Sequence, residues 1–141
     1  MNDHVEKCFP KRSPDTAVYW DGCRRHELLI QRCGDCCVYQ FYPRNFCTNC
    51  CSKTLDWVSA AGHGKVLTWT VVRRAVSAAY VDDVPYVIAL IKLQEGVVMM
   101  SKVVGCEPEA VHTGMTVEVS FEDWTKQVSI PVFVPVCATP G

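Results

Sequence analysis

The chain lacks any apolar run long enough to cross a bilayer. Its longest, VPYVIALI at 84–91, is well short of the roughly 20 residues a spanning helix needs. The first residues, MNDHVEKCFPKRSPD, have no apolar core of signal-peptide length. A soluble, cytoplasmic protein is the expectation. There is no P-loop and no G-x-G-x-x-G, so no standard phosphate-cradling motif is present. Charge of one sign is missing too: 14 Lys and Arg stand against 15 Asp and Glu, a formal −1. That balance speaks against a bulk-basic nucleic-acid binder. The four histidines, His4, His26, His63 and His112, lie far apart, and no constellation of nucleophile and base emerges. His63, in AGHGK, reads as a loop residue, and Asp82-Asp83 as a solvated turn. No catalytic residue is assigned.

What the chain does have is cysteine: 10 in 141 residues, six of them within RCGDCCVYQFYPRNFCTNCC at 32–51. The spacing is C-x2-C (Cys33, Cys36), ten residues, then C-x2-C (Cys47, Cys50). Two such pairs build a tetrahedral four-sulfur site, each pair on a tight turn and each turn offering two thiolates to one ion. A site with no spare position is structural. In small zinc peptides such binding contributes roughly 10–16 kcal/mol at neutral pH. Iron fits the same cage, so zinc and iron both stay open. Disulfides suit a reducing compartment poorly, and a redox C-x-x-C belongs beside a βαβ pattern, which is absent. Cys37 and Cys51 follow the second cysteine of each pair. They read as spare small residues, although Cys37 offers an alternative ligand set with Cys33. Cys8, Cys23, Cys106 and Cys137 have no motif around them and read as packing or surface residues.

The organisation follows. Residues 1–31 are an N-terminal arm and helix, with 1 to about 13 a mobile arm and a short helix, or two helical turns around Gly22, within 14–31. Ser13 or Asp15 supplies a cap, Val18, Tyr19, Leu28 and Leu29 the apolar stripe, and Gly22 a weak middle. Residues 32–56 are the zinc ribbon, and 57–141 a barrel. From Trp57 the apolar pattern turns to period two. Strands are predicted at 65–76, 85–94, 96–105, 115–123 and 129–136, with a hairpin near Gln94-Glu95-Gly96 and a helical turn in EPEAVHTG. In 115–123, Met115, Val117, Val119 and Phe121 share one face. Pro131 and Pro135 put the last strand at an edge. The fold class is therefore mainly β: a short N-terminal helix, a four-cysteine zinc ribbon, and a C-terminal five-stranded OB-fold barrel.

Taken together, these pieces carry a resemblance. YWDGCRRHELLIQRCGDC, QFYPRNFCTNC, LDWVSAAGHGKVLTWTVV, PYVIALIKLQEGVVMMSKVVGCEPEAVHTGMTVEVSFE and IPVFVP follow the order and spacing of the DUF35 family. These are acyl-CoA-associated OB-fold proteins with a rubredoxin-like zinc ribbon. The resemblance runs from about Tyr19 to Pro135. It implies a structural Zn2+ on Cys33, Cys36, Cys47 and Cys50. It also implies a non-catalytic accessory subunit that binds acyl-CoA or docks onto a thiolase-like, acyl-CoA hydratase or aldolase partner in lipid, sterol or polyketide metabolism. The family usually carries glycine where this chain has Cys37 and Cys51.

For the phosphates of an acyl-CoA ligand, the candidate contacts are Arg44, Arg73, Arg74, Lys92 and Lys102, arginine being suited to forked contacts. Tyr39, Phe41, Tyr42, Phe46 and Trp57 crowd the ribbon; any left exposed can dock a partner. Two alternatives stand. One is a nucleic-acid-binding zinc-ribbon and OB-fold module, stacking bases on aromatics in a basic groove. The other is electron transfer through an iron centre.

Overall fold

A computed structural model describes residues 6–136. One helix, α1 (Ala17–Arg24), leads into eight strands: β1 (Leu29–Cys33), β2 (Tyr39–Gln40), β3 (Leu55–Ser59), β4 (His63–Val72), β5 (Tyr86–Leu93), β6 (Val98–Val103), β7 (Thr116–Asp123) and β8 (Ser129–Pro135). Single 3-10 turns at Ala78–Tyr80 and Pro108–Ala110 join β4 to β5 and β6 to β7. Strands β2, β1 and β3 form the ribbon sheet, and the other five close a barrel in the order β4-β5-β6-β8-β7. The change to period two at Trp57 falls inside β3, which pairs with β1 and so belongs to the ribbon.

The short helix expected from the sequence is present, but it ends before Leu28 and Leu29, the expected tail of its apolar stripe. It stops at Arg24 because the chain turns left-handed at His26 (φ 60°), with His26 N–H bonded to Cys23 O and Glu27 N–H to Gly22 O. That is a Schellman-type closure. Leu28 enters, and Leu29 and Ile30 begin, the central ribbon strand instead, and all three are buried. Gly22 is not a weak point. A Cβ there would lie 2.8 Å from Leu29 Cδ1 and 2.9 Å from Glu27 O, so only glycine lets the helix sit against β1.

The barrel follows the alternation read from the sequence. Val66, Val87, Ala89, Ile91, Met99, Val103, Val117 and Phe133 point inward and are buried. Two readings change. The last strand is not an edge: β8 runs antiparallel to β7 from Ser129 to Pro135 and also meets β6, in parallel, at Val103 and Phe133. Its β6 side carries only that brief pairing, so Pro131 and Pro135 disturb no long ladder there. The arm is the second. Residues 7–12 are held down by Lys7 on Asp83 (2.6 Å), Phe9 against Trp124 (6.1 Å between rings) and Arg12 on Asp21 (2.5 Å). Each partner is distant in sequence or lies across a turn, so no local pattern announces it. The first five residues of the expected mobile arm lie outside the described residues.

Candidate metal centre and adjoining groove

Strand β1 delivers Cys33, and the chain turns at once. Cys37 N–H bonds to Cys33 O at 3.0 Å, and Cys36 N–H points at Cys33 Sγ at 3.5 Å. The second turn repeats this: Cys51 N–H to Cys47 O at 2.9 Å, and Asn49 N–H to Cys47 Sγ at 3.4 Å. The two turns face each other. Cys33 and Cys50 Sγ stand 3.5 Å apart, Cys36 and Cys47 Sγ 3.6 Å, and all four sulfurs lie within 4.8 Å of one another. Zinc–sulfur bonds of about 2.3 Å in a tetrahedron set sulfurs roughly 3.8 Å apart. The residues present therefore fit a tetrahedral ion.

The electrostatics agree. Cys33 is held below its ordinary thiol value, first by the Cys36 N–H. Cys36 is lowered to about 6, first by the Val38 N–H. At Cys50 the Ser52 backbone works in the same direction. The proton shared with Cys33, burial and the remaining thiols outweigh it, and Cys50 is pushed up to about 12. Four thiols this close shed all their protons together only when a cation balances the charge.

Cys37 and Cys51 take no part in the cluster; both are exposed. Both have positive φ, 63° and 65°, the left-handed corner where glycine is usual. Gly34 sits under Thr54: a Cβ would come within 2.8 Å of Thr54 Cγ2.

Two glutamines that the sequence did not single out brace the loop between the turns. Gln40 Nε2–H donates to Gln31 Oε1 (2.8 Å) and to Phe46 O (3.2 Å). Gln31 takes Arg44 N–H on Oε1 and gives Nε2–H to Arg44 O, both at 2.9 Å. Both glutamines are buried. A buried amide must spend its donors and acceptors on partners, and these spend theirs on the 44–48 backbone. Their signal in the sequence was faint: polar residues at alternate places flanking the first cysteine pair.

The braced loop forms one wall of a groove of about 940 Å³. Tyr19 and Trp20 of α1, Phe41 and Tyr42 of the ribbon, and Ile88 and Ile130 of the barrel give it an apolar lining. Arg44, Lys102 and Lys7 stand around it. Lys7 is raised above its ordinary value, first by its bond to Asp83, and Lys102 lies 3.8 Å from Glu122. Arg44 has no carboxylate partner among the described residues. Asp83, expected in a solvated turn, is half-buried against Lys7.

Of the five candidate phosphate contacts, the groove thus gathers Arg44 and Lys102. Lys92 lines a second cavity of about 370 Å³ beside His63 and Lys65. His63 opens β4 rather than lying in the loop before it. Arg73 and Arg74 line neither; Arg73 lies 3.5 Å from Glu109. Of the crowded aromatics, Tyr39, Phe41 and Trp57 pack on the core, while Tyr42 and Phe46 remain exposed. Cys23 is buried and its thiol is pushed up to about 11 by burial. Cys8 is exposed and Cys106 half-buried, whereas Cys137 lies outside the described residues. Among the described residues no helix is long and apolar enough to cross a membrane.

Comparison with known proteins follows the same lines. Residues 20–56 match the family described as ChsH2, rubredoxin-like zinc ribbon domain, and residues 57–122 match ChsH2, C-terminal OB-fold domain. A DUF35 domain-containing scaffold protein of Methanocaldococcus jannaschii is 39% identical over 98 residues, covering 69% of each chain. A probable enoyl-CoA hydratase alpha subunit of Thermomonospora curvata is 32% identical over 126 residues, or 89% of this chain; the chain spans 39% of that subunit's length. Among solved structures, an Ltp2-ChsH2(DUF35) aldolase chain superposes with a TM-score of 0.82 at 32% identity, covering 89% of this chain and 98% of that one. The four-sulfur ribbon, the barrel order and these matches agree, and the chain belongs to the DUF35 family.

Proposed function

We propose that this chain is an accessory subunit of an acyl-CoA-processing enzyme assembly, non-catalytic by itself, and that Cys33, Cys36, Cys47 and Cys50 hold a structural Zn2+. The bound ion would cross-link the two turns and supply no further chemistry. The observation that carries the proposal is the groove. Its volume and apolar lining suit a pantetheine arm with an acyl chain. Arg44 and Lys102 lie where the phosphates of such a ligand would be met. Arg44 in particular has a guanidinium unspent on any carboxylate among the described residues and a backbone fixed by Gln31. The relatives support the same reading: their names place them in a hydratase, an aldolase and a scaffold. A thiolase-like, hydratase or aldolase subunit is the partner proposed for this chain. The nucleic-acid alternative is less well supported. Two of the three cations around the groove already face carboxylates, which leaves no basic track for a phosphate backbone.

Titration calorimetry with a medium-chain acyl-CoA tests the ligand. Binding is expected to weaken about tenfold in Arg44→Ala, whose backbone bonds to Gln31 survive the change. Equal affinity in both proteins would remove Arg44 from the site, and no binding to either would remove the ligand. Metal analysis tests the centre: wild type is expected to carry one zinc per chain and Cys36→Ser or Cys47→Ser less, with a lower melting temperature. A red protein would instead indicate iron.

A further inference from the structure

The outer surface of the barrel carries an apolar face that none of the described residues covers. The ladders of β4, β5 and β6 fix its rows. Lys65 stands opposite Lys92, which stands opposite Val98; the next outward row is Thr68, Leu90 and Met100, and the third Thr70, Ile88 and Lys102. The residues between them, Ala89, Ile91 and Met99, turn inward and are at most 2% exposed. The outward ones are not merely grazed by water. Met100 is 57% exposed, Leu67 at the β4 irregularity 43%, Leu90 39% and Val98 37%. A barrel strand facing only solvent does not need this: at the corresponding outward places β7 carries Thr116 and Glu118. Contiguous exposed aliphatics across three strands mark an interaction surface.

Its margin is charged. Lys65 and Lys92 are direct cross-strand neighbours of like sign, and neither is in an ion pair among the described residues. Like charges so placed destabilise a ladder unless something negative lies over them. No carboxylate occurs in the three rows. Lys102 at the far end leans on Glu122. The face also shares Ile88, Met100 and Lys102 with the lining of the groove.

We propose that this face seats the partner enzyme subunit, which presents an apolar projection flanked by carboxylates against Leu67, Leu90, Val98 and Met100, with Lys65 and Lys92 taking the acids. The proposal rests on the accessory-subunit reading and names the surface that reading requires. A second copy is the poorer occupant, since it would meet Lys65 and Lys92 with lysines and no acids. A nucleic acid is poorer still, because none of the three outward rows carries an aromatic ring to stack on. A subunit seated here would stand beside the groove, next to whatever the groove holds.

The test uses the full chain, tagged and recovered at moderate salt from the cells that make it. Three variants are compared with wild type: Lys65→Glu with Lys92→Glu, Met100→Thr, and a control of equal charge change at exposed unpaired lysines, Lys53→Glu with Lys126→Glu. All are exposed positions, and melting temperature verifies folding. Wild type and control are expected to retain a stoichiometric acyl-CoA enzyme subunit. The Lys65/Lys92 pair should lose it by about tenfold or more and Met100→Thr by several-fold. Retention of the enzyme by both variants at the control's level would overturn the surface and leave the functional reading standing. Retention of a stoichiometric protein that is not an acyl-CoA enzyme, lost in both variants, would overturn the functional reading and keep the surface. Loss of self-association alone would assign the face to a second copy, and nucleic acid released by salt would assign it to a strand; either outcome overturns the proposal. A wild-type chain that retains nothing overturns both readings.

Discussion

At the scale of single residues, backbone conformation decides more than side-chain identity at two of the cysteines. Cys37 and Cys51 hold φ near +64°, where an L side chain costs about 1–2 kcal/mol. Cys37→Gly is therefore expected to keep full metal content and to melt no lower than wild type. Cys37→Val, branched at Cβ, should lose about 2 kcal/mol or more by urea denaturation. If valine is tolerated as well as glycine, the strain is absent. Charge supplies a second case. Asp123 accepts from Ser129 Oγ at 2.5 Å and faces His26 Nε2 at 2.7 Å, and its pKa is lowered from 3.8, first by Ser129. A carboxylate with a depressed folded pKa adds stability that is complete above its unfolded value and disappears as pH falls through the folded one. Asp123→Asn should thus melt lower than wild type at pH 7, and the gap should shrink as pH falls below the ordinary carboxylate value and through the depressed folded one. A gap independent of pH would assign the effect to packing instead, for His26 also stacks on Phe121 with ring centroids 5.2 Å apart.

At the scale of elements, legibility followed periodicity. The five barrel strands showed in the sequence because one face of each meets the core, and alternation leaves that face readable. Strand β1 did not: Leu28, Leu29 and Ile30 are consecutive, all buried, and follow directly on a helix, so they extend an apolar stripe as readily as they start a strand. The close approach at Gly22 settles it. Gly22→Ala places a methyl against Leu29 and a backbone carbonyl, and should cost about 1–3 kcal/mol by urea unfolding. A neutral or stabilising alanine, the ordinary outcome on a free helix face, would show that α1 is not wedged there. The metal turns were legible for a different reason. Two C-x2-C pairs state their geometry locally, whereas the glutamine brace depends on Gln31 and Gln40 meeting across the β1–β2 pair.

At the scale of the molecule, the groove was not legible at all. Its walls come from the arm, α1, the ribbon loop, the turn before β5 and the faces of β5, β6 and β8, so it exists only after these have assembled. Of the candidate cations, no local feature distinguished Arg44 and Lys102 from Arg73 and Arg74; the fold alone sorts them. The core beneath is continuous from Tyr19 and Ile30 to Phe133. Ribbon and barrel are therefore expected to unfold together. Stripping metal with a chelator should lower the barrel's melting temperature too, read by the loss of amide-exchange protection at barrel residues such as Ile91 and Val117 on heating. A barrel transition unmoved by chelation would show two independent units.

The glutamine brace has one more consequence. It ties the segment between the two cysteine turns to the groove wall through Arg44, a path by which occupancy at one place would couple to occupancy at the other. Thermodynamic reciprocity would then apply: if metal tightens acyl-CoA binding by some factor, acyl-CoA must tighten metal binding by that same factor. A chain with the proposed ligand in place would then hold its ion at a lower free metal concentration, and Gln31→Leu is expected to weaken that coupling without touching a single sulfur.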